Sequence, residues 1–492
     1  MDEPDREDSY RPLQRYGLWA GGLAFVLLLV LPAPEALGVA GWRTAAVAVL
    51  MAAWWMTEAI PIPATALLPL GLFPALGVLS PAAASAPYAN EVIFLFMGGF
   101  LLAVTMEKWG LHKRIALGIM AFVGTSPNRL VLGFMLATGF LSMWISNTAT
   151  AAMMLPIAIA VGEMFRPQDQ EGPYEFGIAL MLGVAYASSI GGVATLIGTP
   201  PNAVLAGAAS EILDYEIGFV QWMGVGLPIA AIMLPIAWFM LTRVLYPPGD
   251  LAGDAARIID DERSGLGAAS RGEKITAVVF VLTALAWVFR TEKTFGDVTI
   301  PGLATWAPGI ADSTIAMIAA TLLFVLPVDW RKGEFALDWK TARRIPWGVL
   351  VLFGGGLSLA RAMEESGLAA WIGGVVSALG GVPTIVIVAA VATLIVFLTE
   401  VTSNTATATM AMPVMAGAAV GLGIDPLLPM TAAALGASMA FMLPVATPPN
   451  AIVFASGYLT IPQMTKAGFW LNWISIALIT TLGSVLIPMF LS

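Results

Sequence analysis

The sequence Ser-Asn-Thr-Ala-Thr occurs twice, at residues 146–150 and again at residues 403–407. Both copies are polar but uncharged, and each lies between two long apolar runs. Polar groups at membrane depth persist only where protein buries them or a water-filled cavity solvates them. Two identical clusters in this setting predict the two halves of a single binding site.

The composition is that of a membrane protein. Of the 492 residues, 58% are hydrophobic and only 11% are charged, whereas soluble domains carry about 25% charged residues. Many long apolar runs predict several membrane crossings. The chain has no cysteine and a single histidine, His112, so disulfides and zinc centres are excluded. No arrangement typical of an intramembrane protease is visible, and we expect no enzyme activity, no organic cofactor and no nucleic-acid partner.

The second half of the chain repeats the first. The separation that aligns Gly98 with Gly355 also aligns the two Ser-Asn-Thr clusters, and Thr-Pro-Pro-Asn follows each cluster, at 199–202 and at 447–450. Two consecutive prolines cannot continue a helix, because each ring removes a donor and clashes with the preceding turn. The sequence therefore predicts one internal duplication, with a broken helix in each half.

We predict an all-α polytopic membrane protein with 11 transmembrane helices and two re-entrant hairpins, arranged as two inverted repeats. The apolar arms around the first polar cluster are shorter than the roughly 20 residues that a span requires, which favours a hairpin with the cluster at its tip. The repeat predicts a second hairpin around the second cluster. The predicted divisions of the chain are a cytoplasmic tail at 1–15, repeat 1 at 16–246, a cytoplasmic linker at 247–273 and repeat 2 at 274–492.

The placement of lysine and arginine predicts the orientation. With the amino terminus in the cytoplasm, all of the 23 basic residues fall inside except Arg43, Arg290, Lys293 and Arg361. An odd number of crossings separates the repeats, so the first hairpin opens from the cytoplasm and the second from outside. We expect a multi-pass protein of the cell (inner) membrane, surrounded by the lipid bilayer, with its carboxyl terminus outside.

The absence of basic residues from the clusters predicts a coupling ion. No lysine or arginine lies within either Ser-Asn-Thr cluster or either Thr-Pro-Pro-Asn break. Helix amino termini favour anions, whereas helix carboxyl termini and free carbonyls favour cations. An uncompensated dianion in a low-dielectric site costs several kcal/mol or more. We therefore expect bound cations, most simply Na⁺ held by hydroxyls and carbonyls, to supply the missing charge.

The chain resembles the divalent-anion/sodium symporters, a family that includes bacterial succinate carriers and animal sodium–dicarboxylate and citrate carriers. The resemblance covers nearly the whole chain and rests on both Ser-Asn-Thr clusters, both Thr-Pro-Pro-Asn breaks, Trp-Trp-Met-Thr-Glu-Ala-Ile-Pro at 54–61 and Thr-Ala-Leu-Leu-Pro at 65–69. It implies sodium-coupled symport of C4-dicarboxylates such as succinate, malate and fumarate.

The resemblance also implies an elevator mechanism and a homodimer. A transport domain of hairpins and broken helices would slide against a scaffold that holds the dimer. The scaffold parts would be residues 16–130 and 274–382, and the hairpin and transport parts would be residues 131–246 and 383–492.

The family's site residues carry over to matching positions of this sequence. The first sodium site would use Ser142, Ser146, Asn147 and Gly198, and the second would use Thr399, Ser403, Asn404, Ala446 and Pro448. The dicarboxylate would meet Ser146, Asn147, Thr148, Thr199, Pro200, Ser403, Asn404, Thr405 and Thr447. Ser142 and Thr399 each precede a cluster serine by one helical turn, so each pair could face one ion.

Several alternatives remain open from the sequence. The chain could be a sodium-independent dicarboxylate exchanger, a carrier of citrate or sulfate, or, in a different class, an anion channel. The polar clusters could also be contacts between packed helices, and the prolines simple kinks. Two acidic residues near apolar runs, Glu58 and Glu400, are interpreted as structural, with Glu400 either anchoring backbone or pairing locally. The glycine runs at Gly98 and Gly354 predict close helix packing.

Overall fold

The computed structural model describes residues 12–124, 126–166, 174–249, 255–295, 298–377 and 381–491, and these are mostly helical. The predicted cytoplasmic tail lies outside the described residues up to position 11. The first helix begins at Pro12, within the last residues of that predicted tail, and the boundary at residue 15 stays a prediction.

The described part of the first half is mostly helical. Its helices are α1 (Pro12–Val30), α2 (Gly38–Thr57), α3 (Ile62–Thr65), α4 (Leu68–Ala75), α5 (Pro81–Ser85), α6 (Glu91–Lys108), α7 (Leu111–Val123), α8 (Pro127–Ser142), α9 (Asn147–Met164), α10 (Glu175–Val193), α11 (Pro200–Leu213) and α12 (Phe219–Phe239). A 3₁₀ turn, Ala86–Ala89, precedes α6, and a π-helical segment, Met240–Leu245, extends α12.

The described part of the second half is also mostly helical. Its helices are α13 (Ala255–Gly265), α14 (Arg271–Val288), α15 (Leu303–Trp306), α16 (Asp312–Val325), α17 (Trp339–Ala342), α18 (Trp347–Glu365), α19 (Leu368–Val376), α20 (Thr384–Thr399), α21 (Asn404–Leu422), α22 (Leu427–Ala437), α23 (Pro448–Phe454) and α24 (Ile461–Phe490).

Two small antiparallel hairpins correct the all-α prediction. Strand β1 (Lys293–Phe295) pairs with β2 (Val298–Ile300), and β3 (Pro327–Asp329) pairs with β4 (Glu334–Phe335). These strands are two or three residues long and lie between the apolar runs, so they leave no period-two pattern long enough to recognise.

Seven helical segments among the described residues are long and apolar enough to cross a membrane: Pro12–Val30, Gly38–Thr57, Pro81–Lys108, Glu175–Val193, Phe219–Leu245, Asn404–Leu422 and Ile461–Phe490. Shorter apolar helices accompany them, namely Ile62–Ala75, Asp312–Val325, Thr384–Thr399 and Leu427–Ala437. Large apolar side chains on the outer helices are exposed, as Trp19 is at 77%. The chain is therefore a multi-pass membrane protein, and the number of 11 crossings stays a prediction.

The polar clusters begin helices instead of interrupting them. We call α8 and α9 the first hairpin, and α20 and α21 the second hairpin. Because α9 starts at Asn147 and α21 at Asn404, the cluster residues themselves lengthen these arms. The second arm of the second hairpin has 19 residues and is long and apolar enough to cross a membrane, so the re-entrant character of this hairpin stays a prediction.

The predicted linker at 247–273 contains ordered structure within its described part. Helix α13 lies in it, and Lys113 Nζ on α7 forms an ion pair of 2.7 Å with Glu262 Oε2 on α13. Helix α14 begins inside the predicted linker, because Ser270 and Glu273 form a capping box with bonds of 3.1 and 3.2 Å. A capping box of this kind is a pattern that starts helices, and the linker boundary at residue 273 stays a prediction.

Close packing at the glycine runs is confirmed. A Cβ added to Gly98 would lie 2.6 Å from Ala316 Cβ on α16, and one added to Gly354 would overlap the ring of Tyr88. Only glycine allows backbones to approach this closely. The paired runs thus fix α6 and α18, one in each half, against their neighbours.

Candidate functional site

Both polar clusters open into one cavity of about 880 Å³. Of the residues predicted for the site, those that line it are Ser146, Asn147, Thr148, Gly198, Thr199, Pro200, Ser403, Asn404, Thr405, Ala446, Thr447 and Pro448. The other two, Ser142 and Thr399, do not line it and are fully buried behind the clusters. Residues more than 250 positions apart in sequence are therefore brought to one place by the fold.

Local sequence sets the geometry at each break. Thr199 and Thr447 have nearly the same extended backbone, with φ −144° and ψ 145° for the first and φ −141° and ψ 149° for the second. Each is followed by two prolines, whose fixed φ suits the first turn of a helix. We call α10 and α11 the first broken helix, and α22 and α23 the second broken helix. The two breaks repeat one local structure.

Helix amino termini surround the cavity. Helices α9 and α21 begin at the cavity-lining Asn147 and Asn404, and their first backbone N–H groups have no partner within the helix. Helix α11 also begins at the cavity, but its first two residues are prolines, which have no N–H to donate. The helix dipole adds partial positive charge at the same ends. The arrangement can receive an anion without any basic side chain in the clusters.

Each cluster asparagine is held by a hydroxyl from the preceding helix. Ser142 Oγ donates to Asn147 Oδ1 at 2.6 Å, and Thr399 Oγ1 donates to Asn404 Oδ1 at 2.7 Å. The sequence predicts that Ser142 and Thr399 each face one ion together with a cluster serine, and that role stays a prediction. The structure makes them partners of the asparagines, so each carboxamide is presented to the cavity in a fixed orientation.

Two further asparagines brace the breaks, a role that the sequence did not reveal. Asn202 Nδ2 donates to the carbonyls of Gly192 and Thr195 at 3.1 and 2.8 Å. Asn450 Nδ2 donates to Ala440 and Leu443 at 3.3 and 3.0 Å. These bonds satisfy carbonyls that a broken helix leaves without partners. The sequence did contain a signal for this role, because both asparagines are the last residue of the repeated Thr-Pro-Pro-Asn motif.

Glu400 anchors backbone, as predicted. The residue is 3% exposed, and its carboxylate accepts the N–H groups of Phe441, Met442 and Leu443 at 2.7 to 3.2 Å. Asn472 Nδ2 donates to the same group at 2.7 Å. A buried carboxylate with this many donors fastens the second hairpin to the unwound part of the second broken helix.

Glu58 has the predicted structural role at the end of α2, and it also contributes to the cavity. It caps α2 in the left-handed conformation, with φ 49°, and its carbonyl accepts a bond of 3.1 Å from Gln14 Nε2. Glu58 also lines the cavity, as do Glu107 and Arg344. The cavity thus has charged residues at its periphery, although the two polar clusters are neutral.

Replacing Gly192 by alanine is expected to reduce transport by roughly tenfold or more, because a misplacement of about 1 Å at a positioned group has effects of this size. The new Cβ would lie 2.5 Å from Asn147 Oδ1 and displace that side chain. The matched control is Gly118→Ala on α7, where a Cβ meets nothing within 4 Å. Initial uptake rates of both variants in proteoliposomes test this, and equal rates would contradict the described position of Asn147.

Comparison with known proteins gives the family. Residues 17–491 match the family described as the sodium:sulfate symporter transmembrane region. A sodium-dependent dicarboxylate transporter SdcS of Staphylococcus saprophyticus is 43% identical over 488 residues, which is 98% of this chain and 92% of that protein. SdcS of Staphylococcus aureus is also 43% identical, over 97% of this chain and 92% of that protein.

A solved structure is similar in fold. The YdaH transporter of Alcanivorax borkumensis, described as having an unusual topology, superposes with a TM-score of 0.58 over 97% of each chain at 14% identity. A likeness at this identity concerns the fold alone. The match along the sequence is what identifies the chain: it belongs to the sodium:sulfate symporter family of membrane transporters and is not an enzyme.

Proposed function

We propose that this protein is a secondary active transporter that couples the movement of Na⁺ to that of C4-dicarboxylates such as succinate, malate and fumarate. The observation that carries the proposal is the single cavity lined by both Ser-Asn-Thr clusters. Two matching groups of neutral donors suit a substrate with two carboxylates, one held at each cluster. The names of the SdcS relatives support the same substrate class.

Sodium supplies the charge that the clusters lack. We assign the first ion to Ser142, Ser146, Asn147 and Gly198, and the second to Thr399, Ser403, Asn404, Ala446 and Pro448. Hydroxyl, amide and backbone carbonyl oxygens are ligands suited to a hard monovalent cation. By linkage, each bound cation raises the affinity for the dicarboxylate, and the dicarboxylate raises the affinity for the cation by the same factor.

Transport proceeds by an elevator movement in a homodimer with 11 crossings and inverted repeats. The transport domain would comprise residues 131–246 and 383–492, which include both hairpins and both broken helices, and the scaffold would comprise 16–130 and 274–382. The repeated backbone at Thr199 and Thr447 supports the duplication. Gln14 and Arg344 both line the cavity. With a cytoplasmic amino terminus, their end of the cavity would be the cytoplasmic one, and we infer that this conformation opens inward.

The experiment is uptake of labelled succinate into proteoliposomes, with Na⁺ replaced by choline at constant ionic strength. We expect saturable uptake that falls to background in choline. Counterflow that persists in choline would indicate a sodium-independent exchanger, and uptake that never saturates would indicate a channel. Competition by citrate or sulfate, measured in the same vesicles, distinguishes carriers of those anions.

A further inference from the structure

The cavity contains an unassigned charged group at its periphery. Its charged lining residues are Glu58, Glu107 and Arg344, so Arg344 is the only basic residue among the described residues that line it. The two carboxylates repel a dianion that passes them. A dicarboxylate moving between the clusters and the cytoplasm therefore meets one compensating cation on its way.

The surroundings of Arg344 leave its guanidinium available. It lies in the turn between α17 and α18, where its backbone N–H donates to Thr341 at 2.9 Å. The side chain is exposed, and across the described ranges it forms no ion pair within 4.0 Å. Glu107 is near enough for the two charges to interact, yet no direct bond between them occupies the guanidinium.

The chemistry of arginine suits a carboxylate partner. A guanidinium presents two parallel N–H groups to a carboxylate in a fixed plane, and it is less strongly hydrated than an ammonium group. We infer that Arg344, at the cytoplasmic mouth of the cavity, is a docking site for one carboxylate of the dicarboxylate. This inference rests on the proposed function. Arg344 lies outside the Ser-Asn-Thr clusters and acts when substrate is captured from, or released to, the cytoplasm.

The test compares Arg344→Gln with Arg343→Gln in membrane vesicles of both orientations. Arg343 is the adjacent exposed arginine, carries the same charge and does not line the cavity. In inside-out vesicles, Arg344→Gln is expected to raise the KM for succinate about fivefold with little change in Vmax. A fivefold change is what the loss of one pair of opposite charges about 4 Å apart in water would produce. In right-side-out vesicles its KM for uptake should equal that of the wild type.

Two further measurements separate docking from a merely structural role. Arg344→Lys should restore most of the affinity, because it keeps the charge, and raising ionic strength with choline chloride should shrink the difference between Arg344→Gln and the wild type. Equal KM values for Arg344→Gln and Arg343→Gln, or a change of the same size in both vesicle orientations, would overturn the inference. Sodium-coupled uptake by wild type and Arg343→Gln in the same assay tests the proposed function separately.

Discussion

Succinate uptake is expected to fall by about 10- to 100-fold when either Asn147 or Asn404 is replaced by alanine, since one hydrogen bond to a charged group contributes about 1.5–3 kcal/mol. Each substitution removes a neutral donor from the cavity. Asn147→Ala also leaves the buried Ser142 Oγ without its acceptor, whereas Thr399 Oγ1 keeps a bond of 3.3 Å to the Ala437 carbonyl. Because the two clusters are equivalent in the proposed site, both variants should be impaired. Initial rates at saturating Na⁺ measure the effect.

The control for this pair is Asn128→Ala, which makes the same chemical change at the start of the first hairpin. Asn128 does not line the cavity, and its recorded hydrogen bond uses the backbone carbonyl, which accepts from Trp238 Nε1 at 2.9 Å. Transport by Asn128→Ala should match the wild type. If Asn147→Ala and Asn404→Ala also transported normally, the substrate site would lie elsewhere.

Glu400→Ala is expected to lower the free energy of unfolding by about 3 kcal/mol or more, because each buried donor left unsatisfied costs about 1–3 kcal/mol. The substitution removes the acceptor of three backbone N–H groups, those of Phe441, Met442 and Leu443, and of Asn472. The unwound part of the second broken helix would lose its anchor. A lower thermal midpoint of the detergent-purified protein is the measured result.

The matched control removes an exposed glutamate that has one partner. Glu365 on α18 forms an ion pair of 2.8 Å with Arg361 Nε, and such surface pairs contribute about 0–1 kcal/mol. Glu365→Ala should therefore unfold close to the wild-type temperature. A midpoint for Glu400→Ala that equals that of Glu365→Ala would mean that the bonds to 441–443 contribute little to stability.

The parts of the site that sequence could predict are those with a local cause. Two prolines after Thr199 and Thr447 force a break wherever they occur in a helix, and the repeat identified both. The two clusters also line one cavity, as the sequence predicted. The physical reason for that prediction is that a neutral polar cluster flanked by apolar residues needs a protein or water environment.

The parts that sequence could not predict depend on contacts between distant segments. Glu400 was expected to anchor backbone, but nothing in the sequence specified residues 441–443 or Asn472 as its partners. The linker helix α13 was missed because its stability comes from packing and ion pairs such as Lys113 with Glu262, whereas its composition is that of a polar loop. Arg344 lies in a basic segment that was used only to assign the orientation.

The most direct test of the account is a cryo-EM structure of the protein with saturating Na⁺ and succinate. We predict one elongated density that touches both Asn147 and Asn404, with separate ion densities beside each cluster. A succinate density that contacts only one cluster, or lies outside the shared cavity, would contradict the claim that the two repeats form a single site.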